Sequence, residues 1–305
     1  MVEREIADVV ELTDPAANRI EGMSVEEARA RVASGRPEEV LPIQGSFALV
    51  GRDGTAVRMA RSLDRPMRYF LAKRRSGPAL VVSDRIDAIA AFLGEAGLSA
   101  QFHPSYTRMV PAHHVVEIRL VGCPDPDAVH ARFFSPPRST GPADPAEAGA
   151  IYIGALAREI ERWLLSIPDR APVGVLFSGG VDSGAVFLVT EHLFGTLGLD
   201  RARLKAFTLS VGGGEDLAQA RAFLGPLGLE LYLEAIEMPP GAVDPLEAVA
   251  VIEDYKPLDV ESAAMALALC RGIRERYPEW LHLLDGDGGD ENLKDYPIEE
   301  NPELT

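Results

Sequence analysis

One junction constrains this chain more than any other. The apolar run Val173–Phe177 passes through Ser178-Gly179-Gly180-Val181-Asp182-Ser183 directly into a helical pattern over Gly184–Leu193. A short apolar run bounded by glycines reads as a buried strand, and the abrupt change of periodicity marks a strand-to-helix turn. The arrangement recurs: a second apolar run, Leu204–Val211, is followed by Gly212-Gly213-Gly214 and the helical run Asp216–Leu224. Strand, turn, helix, strand, turn, helix predicts a parallel sheet with crossover helices. Ligands in such sheets bind outside the carboxyl ends of the strands, where both glycine turns fall.

The first turn has a mechanical reading. Glycines without Cβ atoms let the backbone turn sharply and approach an oxyanion. The helix N-terminus offers free N–H groups and partial positive charge, and the serine hydroxyls add donors. Asp182 suits an anion site only if a cation intervenes, which reads it as a Mg²⁺ ligand beside phosphate oxygens. The plainer reading is a tight turn with Asp182 or Ser183 as N-cap. No lysine follows the glycines, so a Walker-type loop is excluded, and a nucleotide held by its α/β portion fits better than γ-phosphoryl transfer.

A second cluster, Leu284-Asp285-Gly286-Asp287-Gly288-Gly289-Asp290-Glu291 with Tyr296 beyond it, alternates acids and glycines. A calcium loop fails on spacing, because the positions requiring glycine and a terminal glutamate hold Asp290 and Tyr296. Glu215-Asp216 leaves the same sheet edge as the first turn, which allows an approach to the site, but a helix cap is the favoured reading; Cys270, in an Ala/Leu/Met-rich helix over Ser262–Ile273, reads as a core residue. His113-His114 reads as ordinary strand or surface chemistry.

Around these motifs the 305 residues divide at Ser135–Ala146, too rich in proline and small polar residues to hold a central element. The expected domains are 1–140 and 148–305, the second opening with an amphipathic segment over Ala148–Ile167. The first is α+β: short β-like runs at Ser46–Val50, Ala56–Ala60, Met67–Ala72 and Ala79–Ser83, a Ser24/Glu27 capping box and a helix over Arg85–Leu93. Two cysteines, an acidic N-terminus and no long apolar stretch point to a soluble protein of a reducing cytoplasm, with no membrane partner. A net charge of −17 disfavours nucleic acid, and Lys73-Arg74-Arg75 reads as a solvated loop.

Ser178–Ser183 after an apolar strand resembles the pyrophosphate-binding signature of the PP-loop ATP pyrophosphatases (adenine nucleotide α-hydrolase-like), and most closely the C-terminal domain of asparagine synthetases. The second cluster is similar to the Ser-Gly-Glu-Gly-Ala-Asp-Glu segment of that family and of the related β-lactam synthetases. The resemblance implies ATP and Mg²⁺, with Phe177, Ser178, Gly179, Gly180, Val181, Asp182, Ser183, Leu209, Asp285 and Gly286 at the nucleotide. It puts Asp182 and Asp290 on the metal, Asp287 where the family has a catalytic glutamate, and Glu291 beside it as a catalytic residue.

Residues 45–93, with Met59-Ala60-Arg61 and Val82-Ser83-Asp84, and then Val110-Pro111-Ala112-His113, resemble the family's glutaminase half, an Ntn-hydrolase-like fold. Val2 stands where that half needs a nucleophilic cysteine, so glutamine hydrolysis is not expected. The family's synthetase domain extends further than Thr305, which implies an incomplete domain or one completed by another chain; a homo-oligomer also stays open. The function implied is an amide ligase that activates an amino-acid-like carboxylate as an acyl-adenylate and transfers it to an amine. A non-catalytic ATP-binding scaffold and a PP-loop enzyme of tRNA or sulfur transfer are the alternatives, the latter at odds with the acidic charge.

Overall fold

The computed structural model describes residues 4–5, 8–119, 121–122, 127–135, 141–142 and 144–289. The chain forms two compact units, 1–139 and 140–305.

The first unit contains β1 (Asp8–Glu11), α1 (Val25–Ser34), β2 (Ala48–Asp53), β3 (Ala56–Arg61), β4 (Arg68–Ala72), β5 (Ala79–Ser83), α2 (Ile86–Glu95), β6 (Arg108–Met109), β7 (His114–Arg119) and β8 (Val129–Arg132). The strands form two four-stranded sheets, ordered β8-β7-β3-β2 and β1-β5-β4-β6. Alternation of side chains sets the layers. Ala48 and Val50 of β2 meet Tyr69 of β4 and Leu80 and Val82 of β5 between the sheets. Leu49 turns the other way onto Ala28 and Val32 of α1, while Phe70 and Val81 turn onto Ile89 and Leu93 of α2. The result is helix, sheet, sheet, helix. Because both faces of each inner strand are covered, Ala79–Ser83 is buried along its whole length and carries no polar alternation.

Local signals behave unevenly. Ser24 caps α1 by accepting from the Glu27 N–H at 3.1 Å, and Gly35 ends the helix at φ 73°. The expected reciprocal half of the capping box is replaced: the Glu27 carboxylate pairs with Arg31 at 2.8 Å, a better partner for an anion than a backbone amide.

The second unit contains α3 (Pro145–Ser166), β9 (Val173–Leu176), α4 (Val181–Thr196), β10 (Leu204–Val211), α5 (Asp216–Leu224), β11 (Leu233–Met238), α6 (Pro245–Ile252), α7 (Pro257–Arg276) and β12 (His282–Leu284). The expected parallel sheet is present, ordered β11-β10-β9-β12. One face packs on α3, α4 and α5 through Ile160, Phe187 and Leu224; the other packs on α7 through Ala268, Leu269 and Ile273. After β9 the chain steps outward through β10 and β11, then returns by α6 and α7 to lay β12 on the opposite side of β9. The strand order therefore switches between β9 and β12, and a crevice opens at their carboxyl ends. Among the described residues no helix is long and apolar enough to cross a membrane.

Candidate functional site

Both glycine-acid motifs leave the sheet at that switch. Helix α4 begins at Val181, earlier than the sequence pattern suggested, so Val181, Asp182 and Ser183 form its first turn. Gly180 is the N-cap, and no side chain caps it. The first helical hydrogen bond runs from the Gly184 N–H to the Gly180 carbonyl at 2.9 Å. The N–H groups of residues 181–183 are thus the open, positive end of the helix dipole. Neither Asp182 nor Ser183 is the N-cap.

Behind this end the turn braces itself. Ser178 Oγ accepts from the Gly180 N–H at 3.2 Å and lies 3.1 Å from Ser183 Oγ, which accepts from the Ser178 N–H at 3.3 Å. Gly179 has φ +80°, and a Cβ there would lie 2.8 Å from the backbone nitrogen of Ala220 on α5. Only glycine satisfies both conditions.

The second motif packs onto the first. A Cβ on Gly286 would lie 2.6 Å from the Ser183 nitrogen, and one on Gly289 would collide with the Asp182 carboxylate. Between them the Asp287 N–H donates to Asp285 Oδ1 at 3.3 Å, folding the segment back toward α4.

The two motifs border a cleft of about 370 Å³. Ser178, Gly180, Asp182 and Ser183 line one side; Asp285, Gly286 and Asp287 line the other. Phe177 and Leu209 form part of its base at the strand ends. The Phe177 backbone is already engaged: its N–H donates to Phe207 O at 2.8 Å, and its carbonyl accepts from the buried Thr208 hydroxyl at 2.7 Å. Since Phe207 directs its polar groups at β9, the two-residue alternation directs those of Leu209 the same way, past the last β9–β10 pair, Leu176↔Phe207. That edge faces the cleft.

Gly179 and Val181 do not line the cleft; Gly179 is buried against α5, and the Val181 side chain is 82% exposed. Of the two readings of Glu215-Asp216, Glu215 holds the N-cap position of α5 but its side chain makes no cap, and Asp216 lines the cleft. Sequence reasoning missed Thr208 and the α7 residues Ser262, Met265, Ala266 and Leu269, which carry no local motif. Cys270, next along α7, is partly buried; burial, and then the charge of Asp285, push its thiol pKa up. Asp290, Glu291 and Tyr296 lie outside the described residues.

No lysine, arginine or histidine is among the described residues lining the cleft. Nor do three acids, histidines or cysteines gather closely enough among them to hold a metal unaided.

The second unit is thus a parallel α/β domain with an uncapped helix terminus at its switch point. The family model described as asparagine synthase matches residues 167–305. Over those residues the chain is similar to the asparagine synthases, a likeness that supports an ATP-dependent ligase-type activity in general. The match leaves residues 1–166 uncovered, and no curated protein matches the chain.

Proposed function

We propose that the second unit binds ATP with its phosphates on the open end of α4 and its adenine toward Leu209. A substrate carboxylate then attacks the α-phosphorus, pyrophosphate leaves, and an amine captures the acyl-adenylate to form an amide. The observation that carries this reading is the convergence of two motifs, remote in sequence, on one crevice: Gly286 seats against Ser183, and Gly289 against Asp182. Phosphate fits the site because α4 presents unused N–H groups, and because glycine at 179 and 286 removes the Cβ atoms that would crowd the turn.

The acidic lining fits Mg²⁺ better than bare polyphosphate. Mg²⁺ takes one or two carboxylates alongside phosphate oxygens and waters, so Asp182, with Asp290 from the family resemblance, is a sufficient set. Bound there, Mg²⁺ would neutralise charge on the leaving pyrophosphate. Asp287 and Glu291 are assigned to the reacting end, where a carboxylate can accept a proton from the amine. Positioning and charge neutralisation supply most of the acceleration in this scheme.

We assign the first unit a glutaminase-like ancestry without glutamine hydrolysis, so the amine comes from solution or from the substrate. The helix, sheet, sheet, helix layering supports the glutaminase-like part of that assignment. The chain is placed in the cytoplasm, and small amino-acid-like carboxylates and amines are its proposed substrates.

Release of AMP and pyrophosphate from Mg·ATP is the test, with a panel of amino-acid carboxylates and amines, wild type against Asp182→Ala. AMP formed by the wild type and lost in the variant supports the ligase. ATP binding with neither product supports the scaffold reading, and no ATP binding rejects the site.

A further inference from the structure

Strand β4 has two edges. One pairs with β5 along its whole length; the other pairs with β6 only at Arg68↔Met109 and Tyr69↔Arg108. Met67 faces this second edge, since its carbonyl accepts from the Val110 N–H at 2.8 Å. Strand alternation therefore turns the N–H and C=O groups of Tyr69, Leu71 and Lys73 to the same edge, with about 7 Å from one position to the next.

Two of these three positions are served, each in its own way. Tyr69 pairs with Arg108 on β6. Lys73 is served by a side chain: its N–H donates to Gln101 Oε1 at 2.8 Å, and its carbonyl accepts from Gln101 Nε2 at 2.6 Å. One planar carboxamide, with donor and acceptor side by side, takes the place of a paired strand residue. The run Lys73-Arg74-Arg75 is accordingly not a plain solvated loop, since Arg74 also pairs with Asp8.

Leu71 lies between them. The register would set it opposite Tyr106, but the chain there turns away into a short 3₁₀ helix, Pro104–Tyr106, and the Tyr106 N–H donates to His103 O at 2.9 Å instead. Among the described residues nothing meets the main-chain groups of Leu71. Its side chain packs against the core between the two sheets, so the residue offers the gap its amide edge. The gap opens into a cleft of about 390 Å³ whose lining includes Leu71, Gln101 and Tyr106. Its ends are closed, by β6 at Tyr69 and by Gln101 at Lys73, about 14 Å apart along the strand. An extended chain has no way through, but a compact molecule can enter from the cleft.

We propose that this cleft binds a small planar amide, one that carries N–H and C=O side by side on one edge, as a cyclic imide or an aromatic primary carboxamide does. The ligand accepts from the Leu71 N–H and donates to the Leu71 carbonyl. It thereby repeats, two residues earlier on the strand, the pairing that Gln101 makes with Lys73. A main-chain donor and acceptor left open in a recess are completed by a ligand with the opposite pair. The volume suits a molecule of one or two rings, whose body lies against Tyr106, a residue 69% exposed in the empty cleft. The site lies wholly in the first unit and does not depend on the ligase reading of the second.

The test is calorimetric titration of the full 305-residue chain with two probes, uridine as the ring imide and nicotinamide as the primary carboxamide. Each is paired with a control of nearly the same outline that lacks the N–H: uridine methylated on its imide nitrogen, and N,N-dimethylnicotinamide. At least one probe binds, with a dissociation constant on the order of 1 mM, and the one that binds tells which source of the amide edge the cleft takes. Methylation weakens binding about three- to tenfold, the effect of one lost hydrogen bond. Tyr106→Ala weakens it by about as much, with melting unchanged because the residue is exposed.

Equal affinity for the methylated controls would overturn pairing with the Leu71 main chain, and that comparison needs no protein variant that must fold. Binding of neither probe would overturn the proposal outright. So would binding indifferent to Tyr106→Ala, which is the outcome expected of uridine held in the nucleotide cleft of the second unit. No turnover is measured, so failure of the ligase reading and failure of this site are told apart.

Discussion

Two turns, one in each unit, use their polar groups in opposite ways. In the first unit Arg61 gathers the loop that follows it. Its Nε donates to Val110 O at 2.6 Å, and one terminal nitrogen reaches Ser62 O, Leu63 O and Arg65 O at 3.2, 3.0 and 3.1 Å. The Asp64 carboxylate accepts from the hydroxyls of Ser46 and Ser62. Burial, and then the neighbouring Arg68, pull the Arg61 pKa down, so this crowded guanidinium depends on the carbonyls around it. In the second unit, the hydroxyls of Ser178 and Ser183 brace the turn from behind and leave the end of α4 uncapped. Where a chain satisfies itself it builds a brace; where it leaves converging donors at a switch point, a ligand can complete them.

The largest expected effect breaks the brace. Arg61→Ala should cost about 3 kcal/mol in urea unfolding, because it strands several loop carbonyls together. Arg61→Lys should restore little, since one ammonium cannot span what a planar guanidinium spans. A loss below about 0.5 kcal/mol would mean that water serves the loop equally well. The counterpart in the second unit is Gly179→Ala. It should cost about 2 kcal/mol, combining left-handed strain with the approach to Ala220. If stability is unchanged, the turn relaxes freely and is not the rigid cradle described above.

Much of the second unit was legible because its signals are local. The runs Leu204–Val211 and Asp216–Leu224 coincide with β10 and α5, since an apolar strand and an amphipathic helix each announce themselves within one window. Strand β12 did not, being only His282–Leu284, too short to show a period. With it went the switch point, which depends on which side of β9 the returning strand lies. Ser262 and Met265 were hidden similarly: nothing in an Ala/Leu/Met-rich helix distinguishes the residues facing a cleft from those facing the core. In the first unit Ala79–Ser83 was legible, but the αββα layering was not, because assigning alternate residues to two different cores needs the pairing itself.

A smaller effect sharpens the comparison at the site. Gly289→Ala should displace the Asp182 carboxylate while leaving the glycine turn intact. Mg·ATP affinity should then fall about tenfold, or 1.4 kcal/mol, by calorimetry, with nearly unchanged melting. Nucleotide binding measured without Mg²⁺ should move much less. Equal losses with and without the metal would assign Gly289 to the nucleotide itself.

The smallest effect lies at the opposite end of the sheet and carries a pH signature. Glu234, at the start of β11, meets Lys205 Nζ at 3.2 Å and an Arg276 guanidinium nitrogen at 2.9 Å. The Lys205 ammonium also sits 5.2 Å from the Tyr277 ring centroid and 5.7 Å from that of Trp280. Burial alone would raise the Glu234 pKa, but hydrogen bonds from Tyr277 and Lys205, with the charges of Lys205 and Arg276, outweigh it and hold the carboxyl below its ordinary 4.5. A depressed acid stabilises the fold above its unfolded pKa and loses that contribution as pH falls through the folded value. Glu234→Gln should therefore cost under about 1 kcal/mol at pH 7, as a part-exposed pair does, and the deficit should shrink steadily below the ordinary carboxylate range. A deficit that persists undiminished in acid would place the effect in packing against Tyr277 and Trp280 rather than in charge.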